Sequence, residues 1–312
     1  VTGMDSAEFD AVNDQFSITL PSGITDGTLF VATSLGCLAY GITLSAGTYN
    51  FDLLGFSGGA YYFSGKLYGS AMFASVLTAP QIASLSAYYV ARGAIDDFGS
   101  VTSMINFWRG RSWMRSFPLI NTAAATNLNA TWANCTNLTS FPLINTASCT
   151  NLSSAWETCS GLAIFPLINT GVATNLAYAW YSCASLTSFP LINTAACTNF
   201  QSAWQLCSGL TSFPLINTAA GTNLDATWKE CTDLANFPAN AFDACPATNY
   251  SSAFLNCGLT QTSVNNILVS INVAGQSGGT LGINGGTSAA PSGAGITAKD
   301  ALIARGWTVT TN

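Results

Sequence analysis

The chain contains no histidine, and only 7% of its 312 residues are charged. The first absence removes the commonest general base and the commonest metal-binding side chain. Neither a Ser-His-Asp nor a Cys-His constellation can therefore be assembled. The second departs far from the about 25% charged residues of ordinary soluble domains, and leaves Ser, Thr, Asn and Gly to solvate the surface. Such a surface suits a protein that works outside a cell or inside a large assembly. Eight Lys and Arg stand against fourteen Asp and Glu, a net charge of −6. No basic stripe exists to neutralise phosphates, so nucleic acid is not expected as a partner. No apolar run reaches the about 18 residues of a membrane-crossing helix, so no membrane insertion is expected. Val1-Thr2-Gly3 opens the chain without a basic segment, and no signal peptide is read there. No CxxC pair occurs, and the glycine pairs Gly278-Gly279 and Gly285-Gly286 lack the Lys-Ser/Thr of a phosphate loop. No cofactor is expected.

What is present is repetition. Trp132, Trp156, Trp180, Trp204 and Trp228 stand 24 residues apart, each followed three residues later by a cysteine, from Cys135 to Cys231. Phe-Pro pairs keep the same step from Phe117-Pro118 to Phe237-Pro238. A fixed period in this range predicts a solenoid, in which each unit buries its apolar face by stacking on the next. Within the unit 150–173, Thr150 or Asn151 suits a helix N-cap. Leu152, Trp156 and Cys159 then fall on one helical face. Ser160-Gly161 ends that helix, and residues 162–165 read as a short strand stopped by Pro166. A helix over 150–159 would hold Cys149 and Cys159 roughly 14 Å apart, too far for a disulfide. Buried free thiols are the expectation, with pairing along the column open if neighbouring coils approach closely.

Three regions follow. Residues 1–100 lack the period. Their alternating runs at 16–20 and 28–32, separated by turn signals, predict a small β-rich domain, with a helix at 79–91. Residues 101–262 hold the repeats, beginning with a partial coil in which Arg111 replaces cysteine, and ending with Phe254 and Cys257 in place of Trp and Cys. Residues 263–312 read as a cap with two helical stretches and a strand at 307–310. The expected fold is an α/β solenoid of 24-residue, leucine-rich-repeat-like units, with a small β-rich N-terminal domain and an α/β C-terminal cap.

The order Cys–x–x–Leu–x–x–Phe, with Asn-Thr and Thr-Asn-Leu/Phe downstream, resembles the BspA-type leucine-rich repeats of bacterial surface proteins. Val101-Thr102-Ser103-Met104 comes nearest to that family's form; Trp and Phe-Pro depart from it. The resemblance implies an extracellular binding or adhesion surface. Gly65-Lys66-Leu67-Tyr68-Gly69, Leu77-Thr78-Ala79-Pro80-Gln81-Ile82, Leu85 and Tyr88-Tyr89 are similar to the closing strand and helix of laminin-G-like jelly rolls, which also occur in phage tail and other virion proteins.

The Trp and Cys columns are expected to be buried core. Asn145, Asn169, Asn193 and Asn217, with the threonine after each, form either an internal hydrogen-bond ladder or a polar face that docks glycans, with Tyr178 and Tyr181 as sugar-stacking candidates. Trp108, Arg109, Arg111, Trp113 and Arg115 make the one basic-aromatic cluster, a candidate interface. Among Glu157, Asp225 and Glu230, the last two are close in sequence, but no rule places them across a cleft as a catalytic pair. The expectation is a non-enzymatic structural or attachment protein of a virion, such as a tail fibre or capsid-surface component. The alternative is a secreted or cell-surface adhesin or fibre subunit. Its partner would be a protein or glycan on a host or cell surface, and the chain would be a homo-oligomer or part of a larger assembly.

Overall fold

Amide hydrogen bonds between residues 23 or 24 positions apart organise the chain. The structure is a computed structural model. It describes residues 101–112 and 114–312, Phe98, and the backbone of six strands between residues 7 and 73. The predicted helix at 79–91 and the side chain of Trp113 lie outside the described residues.

The six early strands are β1 (Ala7–Phe9), β2 (Gln15–Leu20), β3 (Asp26–Thr33), β4 (Gly36–Thr43), β5 (Gly47–Asp52) and β6 (Gly65–Phe73). β3 runs antiparallel to both β4 and β6, and β2 pairs antiparallel with β5. A seventh strand, β7 (Met114–Ser116), comes from the first coil and pairs with β4, giving a five-stranded sheet ordered β1-β6-β3-β4-β7. Ser116 also bridges in parallel to Ser140 of the next coil. One three-residue strand thus joins the antiparallel sheet to the repeats.

Within the repeats the predicted helix is absent, and a run of turns takes its place. In residues 152–159 the amides alternate in purpose. Those of Leu152, Ser154, Trp156 and Thr158 donate to carbonyls of the next coil, at 3.0, 2.8, 2.8 and 2.6 Å. Those of Ala155, Glu157 and Cys159 donate back three residues, each at 3.1 Å. The i, i+4, i+7 spacing of Leu152, Trp156 and Cys159 fits four-residue turns as well as a helix, which is why the pattern misleads. Two columns with positive φ prevent the helix from propagating. One holds Ala130, Ser154, Tyr178, Ser202 and Ala226; the other holds Asn134, Thr158, Ser182, Leu206 and Glu230. Left-handed backbone costs a side-chain-bearing residue about 1–2 kcal/mol, here tolerated because it releases every second amide to the neighbouring coil. Ser154, at φ 53°, provides a test. Ser154→Gly should raise the unfolding free energy by about 0.5–1 kcal/mol, whereas Ser154→Ala should not, as read by denaturant titration.

Aromatic rings fill the space between the coils. Trp108, Trp132, Trp156, Trp180, Trp204 and Trp228 stack with centroids 5.3–5.9 Å apart, and Phe254 closes the column 5.0 Å from Trp228. A second column runs from Phe117 to Phe237 at 5.6–6.1 Å. The two columns meet edge to face; Trp156, for example, lies 5.2 Å from Phe141 and 4.8 Å from Phe165. Each buried Trp removes about 150–250 Å² from water, worth at most about 4–6 kcal/mol. Against that, the indole N–H groups of Trp132, Trp156, Trp180, Trp204 and Trp228 are buried without a hydrogen-bond partner.

The predicted cap continues the coil ladder. β8 (Asn249–Tyr250), β9 (Thr280–Gly282) and β10 (Thr308–Thr310) form a parallel sheet ordered β10-β9-β8. The Leu224 amide donates to Asn249, extending the repeat ladder into that sheet. Two helices fill the longer returns, α1 (Gln261–Ala274), capped by Thr260, and α2 (Ala294–Ala304). α1 is fastened to the last repeat by serines. Ser263 Oγ donates to the Ala235 carbonyl and accepts from the Phe237 amide, while Ser270 Oγ accepts from the Phe242 amide and donates to Asp243.

Candidate functional site: the outer columns of the repeats

From Leu to Thr in each unit, side chains alternate outward and inward, as in an extended strand. In one unit Phe141, Ile144 and Thr146 are buried, while Leu143 and Asn145 are exposed. The amide of Ile144 bonds to the carbonyl of Pro142 at 3.0 Å, and Ile168, Ile192 and Ile216 repeat this bond. These are three-residue turns centred on leucine, and each turns its leucine outward. Leu119, Leu143, Leu167, Leu191 and Leu215 thereby form an exposed apolar column, parallel to an exposed column of asparagines. Sequence reasoning missed the leucines: alternation counted from the buried Phe would turn Leu inward and Ile outward, and the turn after Pro reverses that phase.

The Asn-Thr columns divide their labour. Thr122, Thr170, Thr194 and Thr218 are buried, and each hydroxyl donates to a carbonyl of the next coil at 2.5–2.6 Å. Thr146 makes the same bond to Asn169. The asparagines stay outside. The side-chain oxygens of Asn145, Asn169, Asn193 and Asn217 accept from the amide two residues on, at 2.9–3.1 Å. That bond orients each carboxamide. Tyr178 and Tyr181 are half-buried and lie together, with ring centroids 5.8 Å apart. They sit on the turn run, a different stretch of the coil from the asparagines.

Of the described members of the basic-aromatic cluster, one lies inside. Trp108 is buried and stacks on Trp132, so it belongs to the core. Arg109 is exposed and donates to the Asn106 side chain at 3.2 Å. Arg111 and Arg115 are half-buried in the first coil. Glu157 stands apart from the other two carboxylates. Asp225 accepts from the Ser252 amide, Glu230 lies 3.8 Å from Lys229, and Glu157 is three coils from both, about 14 Å at strand spacing.

The nine described cysteines are free and buried. Six thiols, from Cys135 to Cys257, donate to the tryptophan carbonyl of the preceding coil at 3.0–3.2 Å. Burial pushes the Cys135 and Cys207 thiols up to about 12 and that of Cys149 to about 11. Burial likewise holds Cys159, Cys183 and Cys231 well above the ordinary 9.0, neighbouring thiols adding to the shift. Burial favours the protonated thiol in the folded chain and so disfavours thiolate chemistry at neutral pH. A thiol raised on folding contributes stability that is complete below the unfolded value and is lost as pH rises through the folded value. Stability is therefore expected to be insensitive to these thiols at neutral pH and to fall steeply above about pH 9, each ionising thiol adding up to about 1.4 kcal/mol per pH unit. Denaturant titrations from pH 7 to 10.5 check this against a Cys159→Ala, Cys183→Ala variant, whose alkaline slope should be shallower.

Among the described residues, no group of three His, Cys, Asp or Glu side chains could hold a metal ion. No described helix is long and apolar enough to cross a membrane. No family model, curated protein or solved structure matches the chain.

Proposed function

We propose that residues 101–312 are a solenoid scaffold and that the chain is a non-enzymatic structural or attachment protein, carried on a virion surface, whose outer columns meet a protein or glycan. The observation that carries this reading is the sorting of chemistry between inside and outside. Thiols, indoles and one threonine column are consumed by the core, while leucine and asparagine are presented outward in the five coils from Leu119 to Asn217. Repeated, uncharged and shallow, such a surface suits extended contact and lacks convergent acid-base groups. The virion setting comes from the resemblance at residues 65–69 and 77–89. Immunogold electron microscopy of material from the source organism should place the chain on particles; label confined to particle-free fractions would contradict that setting. Glycan-array binding lost in Tyr178→Ala, Tyr181→Ala would identify the tyrosine pair as the sugar contact. Polysaccharide cleavage abolished by Glu157→Gln or Asp225→Asn would overturn the non-enzymatic reading.

A further inference from the structure

We infer that the leucine column is a self-association face, covered in solution by the same column of a second copy of this chain. Leu119, Leu143, Leu167, Leu191 and Leu215 are 71%, 61%, 60%, 60% and 51% exposed. Together they leave on the order of 500 Å² of apolar surface open, at the upper end of the about 300–600 Å² that the largest patch on a monomer spans. With the proline and asparagine columns beside them, the face approaches the roughly 800 Å² per partner of a stable pair.

Two further observations select a second copy as the occupant. The face carries no charge: residues 116–127, 140–151, 164–175, 188–199 and 212–223 contain no Asp, Glu, Lys or Arg. A chain of net charge −6 can therefore approach its own copy there without burying an ion or setting like charges together, and interface cores are depleted of charge for that reason. The column is also periodic. Its leucines recur at the coil rise of about 4.8 Å, and a partner must match that pitch to seat side chains between them along about 19 Å. A second copy matches it by identity, and a two-fold axis makes the contact closed and self-complementary. The exposed asparagines flank the leucines and give the pair a polar rim. At its C-terminal end the column stops where Ala239 replaces leucine, one coil before α1.

The inference rests on the reading of the chain as an assembling scaffold. Sedimentation velocity of the full chain is expected to give twice the chain mass. Leu143→Lys, Leu167→Lys, Leu191→Lys should sediment at the single mass with an unchanged circular dichroism spectrum. Gln205→Lys, at a position where the next coil carries Lys229, should keep the double mass. Should the triple variant not fold, Leu167→Cys supplies the test. It lies at the centre of the column and should form an intermolecular disulfide under mild oxidation, while Gln205→Cys does not. A wild-type chain of single mass at every concentration would overturn the inference, as would a folded triple variant of double mass or equal cross-linking at the two cysteines. A monomer found on particles would remove the pairing alone; a leucine-paired dimer found on none would remove the virion setting alone.

Discussion

Trp180→Ala is expected to lower the unfolding free energy by about 3–5 kcal/mol. Trp180 is fully buried at the middle of its column, 5.6 Å from Trp156 and 5.3 Å from Trp204, with Phe165 and Phe189 edge-on at 5.2 and 4.7 Å. Alanine would empty a space lined by four rings, and the coils cannot close it, because inter-coil hydrogen bonds hold them at strand spacing. Trp180→Phe should cost less than about 1 kcal/mol. It leaves a much smaller void and removes a buried, unpartnered indole N–H, whose desolvation alone costs about 1–3 kcal/mol. Phe254 already occupies the equivalent place in the last repeat, parallel to Trp228. Chemical denaturation of the two variants separates these contributions.

The second large effect is expected at Thr170. Thr170→Val keeps the side-chain volume nearly constant but removes the hydroxyl that donates to the Asn193 carbonyl at 2.5 Å. Thr170 itself is fully buried and the bond part-buried, so the carbonyl loses its donor at a cost of about 1–3 kcal/mol. Thr174→Val is the matched control. Its hydroxyl donates to the Thr150 carbonyl at 3.3 Å on the exposed side, and that carbonyl also accepts the Thr174 amide at 2.9 Å. Its loss should cost less than about 0.5 kcal/mol. Equal losses at the two positions would contradict the division between an inner and an outer threonine column.

The legibility of the chain follows its periodicity. The 24-residue step of Trp, Cys and Phe-Pro is a direct record of side chains meeting their own copies one coil on, because stacked rings need the same ring at the same place. The local conformation inside the step was not legible. Ala130, Tyr178, Leu206 and Glu230 adopt positive φ without being glycine or asparagine, so nothing in their chemistry announces the turns that replace a helix. Trp108 was misplaced among surface candidates because its arginine neighbours suggested an interface, yet its register, 24 residues before Trp132, is that of the core column. The leucine column was overlooked for the opposite reason: an apolar residue beside Phe and Ile reads as core, and only the turn closed by each isoleucine amide reveals that it faces outward.

Collisional quenching by iodide tests most directly whether the indole column lies inside, as the assignment of function to the outer columns requires. In a Trp113→Phe background the seven remaining tryptophans of the eight in the chain are all buried, between 0% and 5% exposed. Native emission should be almost untouched by iodide, and quenching should appear only with unfolding in guanidinium. Strong quenching of the native protein would place the column in water and contradict the structure on which the leucine face depends.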